Sequence, residues 1–318
     1  MKLKAPFPYF GGKSRVAGEI WRRFGVVNNY VEPFFGSGAV LLARPDLRGL
    51  ETVNDIDGMI CNFWRAIQHD PDAVAYWADW PVNEADLHAR HYWLVTEGRN
   101  ILASKLGDPE GYDAKVAGWW VWGIGAWIGS GFCSGNGPWQ WSGSEWVKQD
   151  GGVGITRKLP NMSAVKGVHA KSLRGVGLQG WFQALSDRLR YVRVAHGDWS
   201  RVVRDSVTWR NGTTAVFLDP PYARGNRSDC YAHESDCSGE VREWAIVAGQ
   251  RDDMRICLAG YEGEHDMPSD WTVVRWKARG GYGNQGNKRG RQNAARETLW
   301  FSPACEVPVE ISSGEQDE

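Results

Sequence analysis

The feature that most constrains this chain is a four-residue apolar run, Ala215-Val216-Phe217-Leu218, that ends directly on Asp219-Pro220-Pro221-Tyr222. The run reads as a buried strand, and open α/β sheets place ligands at the carboxyl ends of their strands. Two prolines stiffen the loop and leave the carbonyl of Pro220 without competing local amides, while Asp219 offers a carboxylate and Tyr222 a flat face. Together they suit a planar ring bearing an amino group. Such an amine is a poor nucleophile because its lone pair is delocalised into the ring. Accepting both its hydrogens from the carboxylate and the carbonyl favours a pyramidal, reactive nitrogen, which then needs only alignment with an electrophilic methyl group. An Asp-Pro turn closing a strand is the plain alternative.

The rest of the chain repeats the strand-then-loop pattern. Tyr30-Val31 leads into Glu32-Pro33-Phe34-Phe35-Gly36-Ser37-Gly38, with a helix expected over residues 39–43, before Pro45. The glycines allow close backbone approach and open a helix N-terminus, where a nucleotide-like ligand fits, although a tight strand-to-helix turn explains them equally well. A second strand at 50–53 ends on Asn54-Asp55-Ile56-Asp57, ahead of an amphipathic helix at 58–68. Asp55 is placed to accept hydrogen bonds from ribose hydroxyls; Asp57 competes for that role or caps the helix.

From about residue 71 to 180 the rhythm is lost: helices are expected at 84–97 and 112–128, then a Gly/Ser/Trp-rich loop and a basic stretch at 155–174. It returns with strands at 191–195, 215–218, 255–259, 271–277 and 297–301 and a helix near 240–248, so the fold class is α/β. No internal repeat is visible, and the acidic end reads as a solvated tail.

With 37 Lys+Arg against 38 Asp+Glu in 318 residues, the formal charge of −1 excludes a uniformly basic coat, so a nucleic-acid partner must be met by local patches. Two exist. Arg157, Lys158, Lys166, Lys171 and Arg174 lie in a run without acids, and so do Lys288, Arg289 and Arg291 within residues 275–296. Phosphate contact is the functional reading of both, a solvated face the plain one. Six cysteines without a CxxC pair, in a chain opening without an apolar signal run, point to a reducing, cytoplasmic setting.

The least polar segment, residues 116–129, is broken by four glycines and is shorter than the ~17–25 residues of a bilayer span, so no membrane partner is expected. Seven of the 19 tryptophans lie between Trp119 and Trp146; core packing is their first reading, stacking on bases the sharper one. Cys230, His233 and Cys237 lack a fourth ligand, so no metal is expected. Absence of a Pro-Cys dipeptide removes the nucleophile of cytosine-C5 methylation, and no GxSxG elbow starts a Ser-His-Asp triad.

Tyr9-Phe10-Gly11-Gly12-Lys13, then EPFFGSG, Asn54-Asp55, a long insertion and DPPY occur in the order that resembles the Dam-like class of DNA N6-adenine methyltransferases, over the first ~70 and last ~130 residues. The resemblance implies a Rossmann-like methyltransferase mixed sheet with helices on both faces, formed by residues 1–70 and 181–305. It also implies an inserted helical and loop target-recognition region at 71–180; the acidic end at 306–318 is read from its composition as a disordered tail. Its cofactor would be S-adenosylmethionine, contacted by Tyr9 and Lys13, cradled by Glu32, Phe34, Gly36 and Gly38, with Asp55 on the ribose. Asp219 would face both cofactor and target amine, and with Pro220, Pro221 and Tyr222 would form the catalytic pocket for a base flipped from double-stranded DNA.

Asp198 matches a position where related enzymes often place an acid near the cofactor adenine, with helix capping as the rival role. The middle departs from the family: Trp122-Gly123-Ile124-Gly125-Ala126-Trp127 stands where an Asn- and Phe-rich segment is usual, so no recognition sequence carries over. The implied setting is a bacterial cell or phage-infected host, with room for a restriction endonuclease partner and no reading of oligomeric state. N4-cytosine methylation, protein- or RNA-amide methylation and a catalytically silent DNA-binding module are the rival functions. Intact Lys13, Asp55 and Asp219 speak against the last.

Overall fold

Side-chain alternation along the central strands sets the architecture. The computed structural model describes residues 3–9, 11–108, 110–127, 132–133, 139–142, 146–148, 177–221, 237–277 and 296–308. Its strands are β1 (Asn29–Glu32), β2 (Leu50–Asp55), β3 (Trp139–Trp141), β4 (Trp146–Lys148), β5 (Arg193–His196), β6 (Thr214–Leu218), β7 (Met254–Tyr261), β8 (Thr272–Arg275) and β9 (Glu297–Phe301). β3 and β4 form a separate antiparallel pair; the other seven make one sheet in the order β5-β2-β1-β6-β7-β9-β8. β5, β2, β1, β6 and β7 are mutually parallel, and β9 runs antiparallel to both neighbours. This is the expected mixed sheet.

Ala215 and Phe217 of β6, Cys257 and Ala259 of β7, and Leu299 and Phe301 of β9 face one apolar core. Val216, Leu218, Ile256, Leu258 and Trp300, one residue out of step, face the other. A strand buried on both sides has no polar alternation to show, which is why 215–218 reads as a continuous apolar run.

The first face is covered by α1 (Ala17–Phe24), α2 (Gly58–His69), α3 (Pro71–Ala78), α4 (Glu84–Trp93), α5 (Arg99–Lys105), α6 (Ala114–Ala126) and α7 (Gly177–Leu189), which contribute to the larger core. The second face is covered by α8 (Ser238–Ala248) and the short turn carrying Trp199. α1 buries Ala17, Ile20, Trp21 and Phe24, the stripe of one amphipathic face. Asp57, Asp70, Asn83 and Asp113 cap α2, α3, α4 and α6 by accepting from backbone amides of the first turn.

Three local expectations are corrected. Residues 39–43 form no α-helix, only a 3-10 turn at Leu41–Ala43; Arg44 precedes Pro45 and is extended, with φ −57° and ψ 123°, as a residue before proline prefers. The helix starting at residue 84 does not stop at 97. A wide turn at Leu94–Gly98 passes it into α5, so helical structure reaches Lys105. The segment after Asp70 is helical at once, since Asp70 caps and Pro71 occupies the first helical position.

Trp120, Trp122 and Trp127 are buried, and the Arg90 guanidinium lies 4.4–5.1 Å from the rings of Trp80, Trp119 and Trp122. Trp119, Trp120, Trp122 and Trp127 are therefore packing residues. Among the described residues no helix is long and apolar enough to cross a membrane.

One buried ionic knot ties α7 to the sheet. Arg188 donates from Nη1 and Nη2 to both carboxylate oxygens of Glu51 at 2.7 Å, and Arg44 donates to Oε1 at 3.0 Å. All three side chains are less than a tenth exposed. Removing the shared carboxylate leaves two buried guanidinium groups facing each other, so Glu51→Ala is expected to cost about 3–5 kcal/mol, the range for breaking a buried pair from one side. Urea unfolding of the variant measures this, and a loss under about 1 kcal/mol, as for a surface pair, would refute it.

Candidate active site

The strand order reverses direction between β1 and β6: from β1 the chain steps outward to β2 and β5, and from β6 to β7. Crevices at such switch points, beyond the carboxyl ends of the strands, are where open α/β sheets bind ligands. Glu32 ends β1, Asp55 ends β2, and Asp219 follows β6. All three line one cleft of about 700 Å³, together with Tyr9, Lys13 and Ile56.

The N-terminal segment reaches the cleft through a turn in which the Gly12 amide donates to the Tyr9 carbonyl at 3.1 Å. The Lys13 carbonyl then accepts from the amides of Val16 and Ala17 at 3.0 and 2.9 Å, so the start of α1 fixes Lys13 in place. Its ammonium donates to both Asp219 oxygens at 2.8 Å and to the Gly11 carbonyl at 2.6 Å. Glu297 Oε2 stands 3.9 Å away. Burial opposes the charge on Lys13, but Asp219 and Glu297 outweigh it and hold its pKa above the ordinary lysine value.

The glycine loop is built for close approach. Gly36 has φ +48°, and a Cβ there would lie 2.7 Å from the Tyr9 ring; Gly38, at φ +69°, would press on Phe35 and Trp64. The expected helix N-terminus does not follow, since residues 39–43 make only the 3-10 turn. The glycines instead let an aromatic ring and the loop backbone meet over the cleft. Asp55 holds this loop: its Oδ2 accepts from the Gly36 amide at 2.9 Å and its Oδ1 from the Asp57 amide at 3.0 Å. The Ile56 amide is a third backbone partner of this carboxylate. Asp57 caps α2, accepting from the Met59 amide at 2.8 Å, and also lines the cleft.

Two of the acids are held toward neutrality. Burial raises Glu32 to about 8, against a hydrogen bond from the Tyr30 hydroxyl at 2.8 Å. Burial likewise raises Asp55 to about 7, against its backbone donors. A cleft lined by Glu32, Asp55 and Asp219 with one ammonium, on Lys13, favours a ligand that brings positive charge.

The structure brings together on the cleft lining Tyr9, Lys13, Glu32, Phe34, Gly36, Asp55, Asp219 and Pro221. Gly38 lies behind the lining, packed on Phe35 and Trp64, and Pro220 is buried beneath it. Asp198 is elsewhere: its Oδ1 accepts from the Ser200 amide at 2.9 Å and caps the turn Trp199–Arg201. Tyr222, Arg157, Lys158, Lys166, Lys171, Arg174, Lys288, Arg289 and Arg291 lie outside the described residues, as do Cys230 and His233. Of the basic stretch at 275–296, Arg275 pairs with Glu262 at 2.6 Å, and Arg296 donates to the Glu262 carbonyl at 3.0 Å. Arg275 is thus paired with the Glu262 carboxylate and Arg296 bonded to its backbone, contacts that sequence proximity does not reveal.

Glu297 was not singled out from the sequence. The signal is an acid opening the apolar strand Glu-Thr-Leu-Trp-Phe, but its position becomes meaningful only once β9 is known to run antiparallel to β7.

A family model described as the D12 class N6 adenine-specific DNA methyltransferase matches residues 9–94. No curated protein matches the chain. The matched stretch holds Tyr9, Lys13, the glycine loop and Asp55, and ends far ahead of Asp219. The match agrees with the Dam-like resemblance and indicates an adenine-specific DNA methyltransferase.

The raised acids set a pH dependence. A carboxyl group whose pKa is raised by folding binds more protons folded than unfolded, so its contribution to stability is full at low pH and is lost as pH rises through the folded value. For Asp55 and Glu32 the loss extends up to about pH 7 and about pH 8. The buried His91, lowered to about 4 from 6.5 by burial, no longer contributes above 6.5. Between pH 6.5 and about 8, stability is therefore expected to fall, and Glu32→Gln should flatten the slope. Denaturant titrations across that window check it; an equally steep slope in the variant would contradict the assignment.

Proposed function

We propose that the cleft between β1 and β6 binds S-adenosylmethionine and an adenine turned out of duplex DNA, and that the methyl group passes directly to N6. The observation that carries this reading is Asp219, which follows a fully buried strand and opens its carboxylate to the same cleft as Glu32 and Asp55.

When bound, the cofactor supplies an electrophilic methyl group on a positively charged sulfonium. The chain's residues suit it. The acids offset its charge, Asp55 retains acceptor capacity for a ribose hydroxyl beyond its three backbone donors, and the exposed face of Ile56 beside it suits a flat purine. Tyr9, Lys13, Glu32, Phe34 and Gly36 form the remaining walls, with Gly38 supporting the loop. Asp198, as a turn cap, is not needed by this reading.

Asp219 accepts one N6 hydrogen and the Pro220 carbonyl the other, leaving the nitrogen lone pair directed at the methyl carbon. With the cofactor bound, transfer would form the nitrogen–carbon bond as the cofactor's carbon–sulfur bond breaks, and Asp219 would be placed to accept the proton that the nitrogen gives up. Tyr222 stacks on the extruded base. Residues 71–180 supply target recognition, and Arg157, Lys158, Lys166, Lys171, Arg174, Lys288, Arg289 and Arg291 hold phosphates.

Asp219→Asn is expected to lower single-turnover methylation by about a hundredfold or more while leaving cofactor and DNA affinity largely intact. Mass spectrometry of digested DNA should find N6-methyladenine with the wild type and almost none with the variant. A variant that methylates at the wild-type rate would remove Asp219 from the mechanism.

A further inference from the structure

Among the acids on the cleft lining, Glu32 is the most deeply buried, at 2% exposed against 8% for Asp55, with Asp57 and Asp219 only partly buried. An acid so placed helps to bind a cation only if something other than water supports its ionised form. Burial, Asp219 after β6 and Asp55 at the end of β2 all oppose that form. Lys13, the cation of the cleft, is bonded to both oxygens of Asp219. Two hydrogen bonds act in favour of the Glu32 anion, one from the Tyr30 hydroxyl at 2.8 Å and one from the Leu41 backbone.

Tyr30 precedes Glu32 by two residues on β1, so alternation puts both side chains on one face of the sheet. Its ring is fully buried against Trp21, with centroids 4.9 Å apart, and Phe24, with centroids 6.4 Å apart. These contacts fix the ring and with it the direction of the hydroxyl. Burial and the neighbouring Glu32 hold the phenol well above its ordinary range, so it keeps its proton and donates. Packing alone asks only for the ring, which a phenylalanine would supply; the hydroxyl serves Glu32.

We propose that Tyr30 is a positioning residue for cofactor binding: its hydroxyl holds the Glu32 carboxyl in place at the cleft and supports its anion, so that the cleft meets a cationic sulfonium with charge. The inference rests on the reading of the cleft as the S-adenosylmethionine site. The proton that Glu32 loses on binding passes to solvent, and Tyr30 keeps its own. Tyr30 acts through Glu32 and touches neither cofactor nor the reacting atoms.

Calorimetric titration of the full chain with S-adenosylmethionine, from about pH 6.5 to about pH 9.5, compares wild type with Tyr30→Phe. Losing one hydrogen bond to an anion moves its ionisation up by about one pH unit. The variant should therefore bind about tenfold more weakly near pH 7 and within about twofold of wild type near pH 9.5. Comparing the two chains at each pH cancels the titration of the cofactor's own groups. S-adenosylhomocysteine, the thioether that lacks both the methyl group and the positive charge, is the control, and its affinity should change by no more than about twofold. In a Glu32→Gln background, Tyr30→Phe should leave both affinities and their pH dependence unchanged. Equal weakening toward the two ligands, a ratio of affinities that does not vary with pH, or an undiminished effect in the Glu32→Gln background would overturn the inference, each marking Tyr30 as a packing residue. A wild-type chain that binds S-adenosylmethionine while the ratio stays flat removes this inference alone; one that binds none overturns the reading of the cleft, and this inference with it.

Discussion

The contact on which the site depends is the ion pair between Lys13 and Asp219, which joins residues 206 positions apart across the switch point of the sheet. Each partner is placed by a separate element: Lys13 by the first turn of α1, Asp219 by the stiff proline loop after β6. Because one member is almost fully buried, the pair is worth less as a source of stability than as a device that fixes one geometry. It sets the height of the N-terminal turn over the sheet. Through that turn it also places the Tyr9 ring on Gly36, where a side chain would not fit.

Charge then organises the cleft around the pair. Lys13, Glu32, Asp55, Asp57 and Asp219 share it, and burial keeps Glu32 and Asp55 near neutrality at physiological pH while Lys13 stays cationic. The arrangement tolerates its own acids by leaving them partly protonated. A cationic ligand relieves that tension by favouring their charged forms, so on the proposed function cofactor binding is linked to proton release.

Much of this was legible in the chain itself, for physical reasons that differ by element. β6 is apolar from Ala215 to Leu218 because both its faces are covered, so its end, and therefore Asp219, could be located to the residue. Asp55 was visible as an acid closing a strand. The errors arose where one local rule masked another. The glycines after β1 suggested a helix start, but Pro45 forces Arg44 into an extended conformation and leaves only a single 3-10 turn. α3 carried the Asp-Pro signature of a helix N-terminus and was passed over because the α/β rhythm stopped there. Asp198 obeyed the capping rule. Glu297 was illegible for a different reason: its role depends on the direction of β9 within the sheet, which no local pattern encodes.

The central claim is that this acid-lined cleft is the cofactor site, and calorimetric titration of the purified chain with S-adenosylmethionine tests it most directly. Run near pH 7 in two buffers of different ionisation enthalpy, the titration should show one cofactor bound per chain with a heat that depends on the buffer, reporting protons released as Glu32 and Asp55 ionise. Binding should weaken, and the buffer dependence shrink, when both are replaced by Gln and Asn. No detectable binding, or binding whose affinity and buffer dependence are unchanged in that double variant, would contradict the account.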